Sequence, residues 1–157
     1  MLARFGVLGA CFFLALSLTF LPLPPWASPW RPDWVALVVI YWIMALPNRV
    51  GLATAWSLGL LMDAGSGGVL GVQALSLTLA AYVVARFHLQ LRAFPVWQQS
   101  LALVPILALA AFPGFWLAGM GNRGDPLFPW SGILTSALIW PWMFAVLRDL
   151  RRRFVAA

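Results

Sequence analysis

The chain has no lysine, no glutamate, one cysteine and one histidine. Charged residues make up 9% of it, ten arginines and four aspartates, where ordinary soluble domains carry about 25%. A soluble domain of this size could not cover its core with so little charge. A lipid surround removes the need, because apolar side chains can then face outward. The single Cys11 excludes an internal disulfide and a cysteine-built zinc cage. Leu8-Gly9-Ala10-Cys11 has the look of a lipoprotein processing site, but the apolar run before the cysteine is too short and continues past it. The single His88 has no second histidine or cysteine near it in the sequence, so neither a metal site nor a cofactor is expected.

What is present is apolar. Hydrophobic residues make up 63% of the chain, with ten tryptophans and twelve prolines. Apolar stretches bounded by charge, proline or glycine mark six helices, at 5–21, 34–46, 50–62, 69–85, 98–118 and 130–147, in a single integral membrane domain over 1–157. A basic tail, 148–157, follows. The first helix stops at Pro22-Leu23-Pro24-Pro25, which cannot continue one. Trp26, Trp30 and Trp34 follow at the level where such rings favour the membrane–water interface.

The second and third stretches are short. Each spans about 20 Å of helix against about 30 Å of hydrocarbon. Either both cross as short helices extended by their flanks, or they form a re-entrant hairpin. Charge placement favours crossing. Six crossings with the N-terminus inside place eight arginines inside (Arg4, Arg49, Arg86, Arg92, Arg148, Arg151, Arg152, Arg153) and two outside, Arg31 and Arg123, in keeping with the positive-inside bias. A hairpin would bring Arg49 into the membrane. An odd number of crossings would separate Arg4 from Arg151–Arg153. The expected fold class is therefore an all-α membrane protein of six transmembrane helices with both termini inside, the short helices shielded by their neighbours. The net charge of +6 is scattered along the chain, and without a basic face nucleic acid is not an expected partner.

No catalytic constellation emerges. Ser66 sits among glycines, but the base it would need, His88, falls across the membrane from it in this topology. Gly65-Ser66-Gly67-Gly68 lacks the lysine that a phosphate-cradling loop requires. Asp33, Asp63 and Asp125 share the outer side, where two carboxylates could form an aspartyl pair, yet Asp33 and Asp125 have Arg31 and Arg123 beside them. An enzyme is not expected.

Two features do carry structural information. Gly51, Ala55 and Gly59 recur every four residues, a spacing that lets membrane helices approach closely. Asp63 ends an apolar helix, where its charge opposes that helix's macrodipole. An ionised Asp in lipid costs about 2.5–3.5 kcal/mol at a helix centre, and less near the interface. Two readings stand. Asp63 folds over the glycine turn to accept N–H groups of the fourth helix, or pairs with Arg31 or Arg123; alternatively, it contacts a ligand or partner directly.

A family resemblance follows from particular runs: Arg31-Pro32-Asp33-Trp34, Tyr41-Trp42, Pro47-Asn48-Arg49-Val50-Gly51, Ala55-Trp56-Ser57-Leu58-Gly59-Leu60-Leu61-Met62-Asp63, Val69-Leu70-Gly71 and Ala93-Phe94-Pro95-Val96-Trp97-Gln98-Gln99. In these the chain resembles the rod shape-determining protein MreD family, most specifically over 31–99. It departs in a more glycine-rich turn at 64–68. The resemblance implies a multi-pass protein of the bacterial inner membrane with a fold similar to the six-helix substrate-binding subunits of energy-coupling-factor transporters. It implies no enzyme activity and a place in the cell-elongation machinery with MreC, the actin-like MreB, and RodA with its penicillin-binding transpeptidase partner. The expected function is a non-catalytic scaffold that supports lateral peptidoglycan synthesis by binding MreC and associated synthases. Arg31, Asp33, Pro47, Arg49, Gly51, Ala55, Gly59 and Asp63 are the candidate partner-binding or structural positions. Arg148, Arg151, Arg152 and Arg153 are expected on the cytoplasmic surface, attracted to anionic lipid at about 1 kcal/mol each or to an acidic partner. The alternative is a small-solute or lipid-precursor binding subunit, for which Thr54, Ser57, Gln73, Ser76 and Thr78 are the few polar candidates within the spans.

Overall fold

An apolar run in lipid has no water to satisfy its backbone, so it must pair its own N–H and C=O groups as a helix. The computed structural model describes residues 2–21, 24, 34–45, 51–66, 71–120 and 128–155. Arg31, Asp33, Pro47, Arg49, Arg123 and Asp125 lie outside the described residues. Among the described residues six α-helices follow one another: α1 Leu2–Phe20, α2 Trp34–Ala45, α3 Leu52–Ser66, α4 Val72–Ala93, α5 Val96–Met120 and α6 Phe128–Leu150, the last running into a π-helical turn at Arg151–Val155.

The helices extend past the polar residues that bound the apolar stretches. α3 runs past Met62 through Asp63 to Ser66. α4 continues past Ala85, through Arg86, His88, Gln90 and Arg92, to Ala93. Polar residues end a membrane crossing, but they do not end a helix. Phe94 does so, with extended backbone at φ −77°, ψ 146°, as the residue before a proline prefers. α4 bends at Phe87, where φ is −109° and ψ 17°. α5 passes through Pro105 and Pro113, and α6 through Pro141, as membrane helices permit when neighbours re-satisfy the freed carbonyls.

α2 is the centre of the bundle. From Val35 to Met44 no residue exceeds 4% exposure, and α1, α4 and α6 all pack on it. A helix apolar around its whole circumference can be buried on every side. With 12 residues it is about 18 Å long, short for a bilayer but enclosed by longer helices. α4 also packs against α3 and α5, and α5 against α6. Tyr41, near the end of α2, meets Phe144, near the end of α6, edge to face at 5.6 Å.

The outer surface is apolar. Phe13, Leu101, Trp116 and Leu138 are among the large side chains left exposed. Among the described residues, three helical segments are long and apolar enough to cross a membrane, Val72–Ala93, Val96–Pro113 and Gly132–Arg153. Phe5–Phe20 and Trp34–Ala45 are shorter apolar helices. The chain is a multi-pass membrane protein.

Candidate functional site

The α3–α4 contact begins with a residue that has no side chain. A Cβ built on Gly59 would fall against the Ala74 Cα, 2.6 Å from the Ala74 nitrogen and 2.8 Å from the Gln73 carbonyl oxygen. Backbone, not a flexible side chain, occupies the space, so only glycine lets the two helices come this close. Ala55, one turn earlier, is fully buried. Gly51, one turn earlier again, faces open space, with nothing within 4 Å of a Cβ placed there. The expected small-residue stripe thus splits: Ala55 and Gly59 are packed inside, and Gly51 is not.

One turn beyond Gly59 on the same face, Asp63 is 2% exposed. Its Oδ2 accepts the Gly71 N–H at 2.8 Å and, at a longer 3.4 Å, the Ala74 N–H; its Oδ1 accepts the Gln73 N–H at 3.2 Å. These donors belong to the start of α4, where N–H groups have no partner within their own helix. Gly71, at the N-cap position, cannot supply a side-chain cap and holds φ at +98°, a left-handed conformation that glycine adopts without a steric penalty. Asp63 therefore caps α4 from another helix. Its charge opposes the dipole of α3 but lies at the positive end of α4, where an anion is stabilised. The close approach at Gly59 brings the carboxylate within reach, so glycine and aspartate act as one unit.

The other end of α4 is closed in the same manner by a residue to which sequence reasoning assigned no role. Gln99 of α5 is 3% exposed. Its Nε2 donates to the Leu91 carbonyl at 2.9 Å and, more weakly, to that of Phe94 at 3.4 Å. Its Oε1 accepts the indole N–H of fully buried Trp140, on α6, at 3.2 Å. The Leu91 carbonyl in the last turn of α4 is satisfied, and α4, α5 and α6 are tied at one point. The available signal was an amide just inside an apolar helix that starts at a proline. Ser57, Thr78 and Ser136 bond the carbonyl four residues back, the usual way a hydroxyl is satisfied in a membrane helix. Among the described residues, no hydrogen-bond partner reaches the buried Tyr41 Oη.

On the basic tail, Arg153 pairs with Asp149 at 3.2 Å on the exposed surface, and Arg148 lies over the Phe144 ring at 5.8 Å. His88 contacts its own helix, with Nδ1 2.7 Å from the Ala85 carbonyl. Among the described residues, no three His, Cys, Asp or Glu side chains gather where they could hold a metal ion.

Residues 2–150 match the family model described as rod shape-determining protein MreD. The chain is 34% identical over 145 residues to the rod shape-determining protein MreD of Haemophilus influenzae, covering 90% of this chain and 88% of that protein. No solved structure matches the chain significantly.

Proposed function

The chain belongs to the MreD family of rod shape-determining proteins, and from that membership we propose that it is a non-catalytic scaffold of the bacterial inner membrane, binding MreC in support of lateral peptidoglycan synthesis. The observation that carries this reading is where the buried polar groups are directed. The Asp63 carboxylate and the Gln99 amide hold the two ends of α4 in place, which suits a rigid bundle with a partner on its outer face. In the proposed arrangement all six helices cross the membrane and both termini lie in the cytosol, as the distribution of arginines favours. Ala55, Gly59 and Asp63 hold α3 on α4. Gly51, open on its Cβ side, and Arg31, Asp33, Pro47 and Arg49 of the connecting segments are the positions proposed for contact with MreC. MreB, RodA and its transpeptidase partner join through the same assembly. The fold similarity to energy-coupling-factor subunits belongs to this proposal as well.

Copurification tests it. The full chain, tagged and co-expressed with MreC, should retain MreC through extraction in a mild detergent. Loss of MreC from a chain that remains folded in that detergent overturns the scaffold reading.

A further inference from the structure

We infer that the C-terminal end of α6 carries a binding site for the headgroup of an anionic phospholipid, with Arg148 and Arg152 contacting its phosphate and Trp142 contacting its glycerol and upper acyl region. An open groove of about 380 Å³ lies there, lined by Trp142, Ala145, Val146, Arg148, Asp149 and Arg152. The six residues recur at helical spacing along one face. Their order matches an amphiphile. Trp142, 63% exposed, and Val146 stand at the end toward the bilayer-facing surface, which continues through the strongly exposed Leu138. Arg148 and Arg152 stand at the other end.

The electrostatics agree. Asp149 is the one acid in the lining, and Arg153 neutralises it at 3.2 Å. Among the described residues neither Arg148 nor Arg152 has a carboxylate partner, so the groove is net positive. Arg148 rests over the Phe144 ring at 5.8 Å, which steadies a planar cation while leaving its N–H edge available. Guanidinium groups bind phosphate oxygens in a fork geometry, and tryptophan favours the headgroup level. An acidic peptide would satisfy the charges but would have no use for Trp142 and Val146 running on into the apolar surface. The choice of leaflet rests on the cytosolic placement of the tail proposed above. Binding in detergent does not depend on it, so the two can fail separately.

The test uses the full chain in a nonionic detergent. Its thermal midpoint is followed during titration with dioleoylphosphatidylglycerol, dioleoylphosphatidylcholine or inorganic phosphate. Phosphatidylglycerol is expected to raise the midpoint saturably and the other two to leave it unchanged. The Arg148→Gln/Arg152→Gln variant should bind phosphatidylglycerol about 30-fold more weakly. Trp142→Ala should also weaken it, whereas Arg86→Gln/Arg92→Gln should match the unmodified chain. The midpoint in phosphatidylcholine reports whether each variant is folded. Asp149→Asn, which frees Arg153, should tighten binding and decides the matter if the double arginine variant is unfolded. Equal loss in the Arg86/Arg92 variant would mean diffuse attraction instead of a site. An equal response to inorganic phosphate, or no weakening on removal of Arg148 and Arg152, would likewise overturn the inference.

Discussion

Replacing Asp63 removes the acceptor for three N–H groups at the start of α4. In Asp63→Ala the donors of Gly71, Gln73 and Ala74 lose their partner in a place where little water can replace it. A buried unsatisfied donor costs about 1–3 kcal/mol. The Ala74 contact is already long, so two donors dominate, and the net loss is about 3–5 kcal/mol. Asp63→Asn keeps one oxygen. Turned toward Gly71 it preserves the shortest bond, but its NH₂ then faces the Gln73 donor, and the favourable charge at the α4 N-terminus is gone, for a loss of about 1–2 kcal/mol. At 2–4 °C per kcal/mol for a chain of this length, Ala should lower the thermal midpoint by roughly 10 °C and Asn by roughly 5 °C. The assay is thermal unfolding of the purified full chain in mild detergent, alongside complementation of rod shape with Asp125→Asn as the comparison. An alanine variant within about 1 °C of the unmodified chain, or an asparagine variant as damaged as alanine, would refute the capping argument. Lost cell-shape support at an unchanged midpoint would assign Asp63 to a partner instead.

Two further outcomes follow from the packing around α4. Gly59→Ala gains about 1 kcal/mol of helix propensity but forces a methyl against the Ala74 backbone, and overpacking costs about 1–3 kcal/mol. Backbone cannot yield as a side chain can, so the midpoint should fall, while Gly51→Ala, pointing into open space, should leave it unchanged; the same thermal assay compares them, and equal midpoints would contradict the close approach. Gln99→Leu should destabilise the chain more than Trp140→Phe, because it also removes the side-chain donor to the Leu91 and Phe94 carbonyls, and the double mutant should show about 1 kcal/mol of coupling between the two side chains. Strict additivity would mean that the 3.2 Å contact contributes nothing.

Much of the helical architecture was legible in the sequence, because the signals for it are local. Low charge and long apolar runs dictate lipid-facing helices, and the proline run that begins at Pro22 marks where the first of them stops. Helix ends at Met62 and Ala85 were misplaced for the opposite reason: Asp63 and Arg86 are polar, and polarity reports depth in the membrane, not backbone conformation. The Gly51, Ala55 and Gly59 spacing was visible too, but not which of the three would meet a neighbour. That depends on the angle at which α4 crosses α3.

Sequence alone therefore determined that this is a helical membrane protein, since apolar length acts through the solvent and needs no partner. Only the tertiary structure decided what its few buried polar groups do. Read along its own helix, Asp63 stands at an unfavourable end. Across the gap left by Gly59 it meets the unpaired N–H groups of α4, and the field there has the opposite sign. Gln99 is the same case at the other end: its partners, Leu91 and Trp140, sit on two different helices, and no reading along α5 alone brings them together.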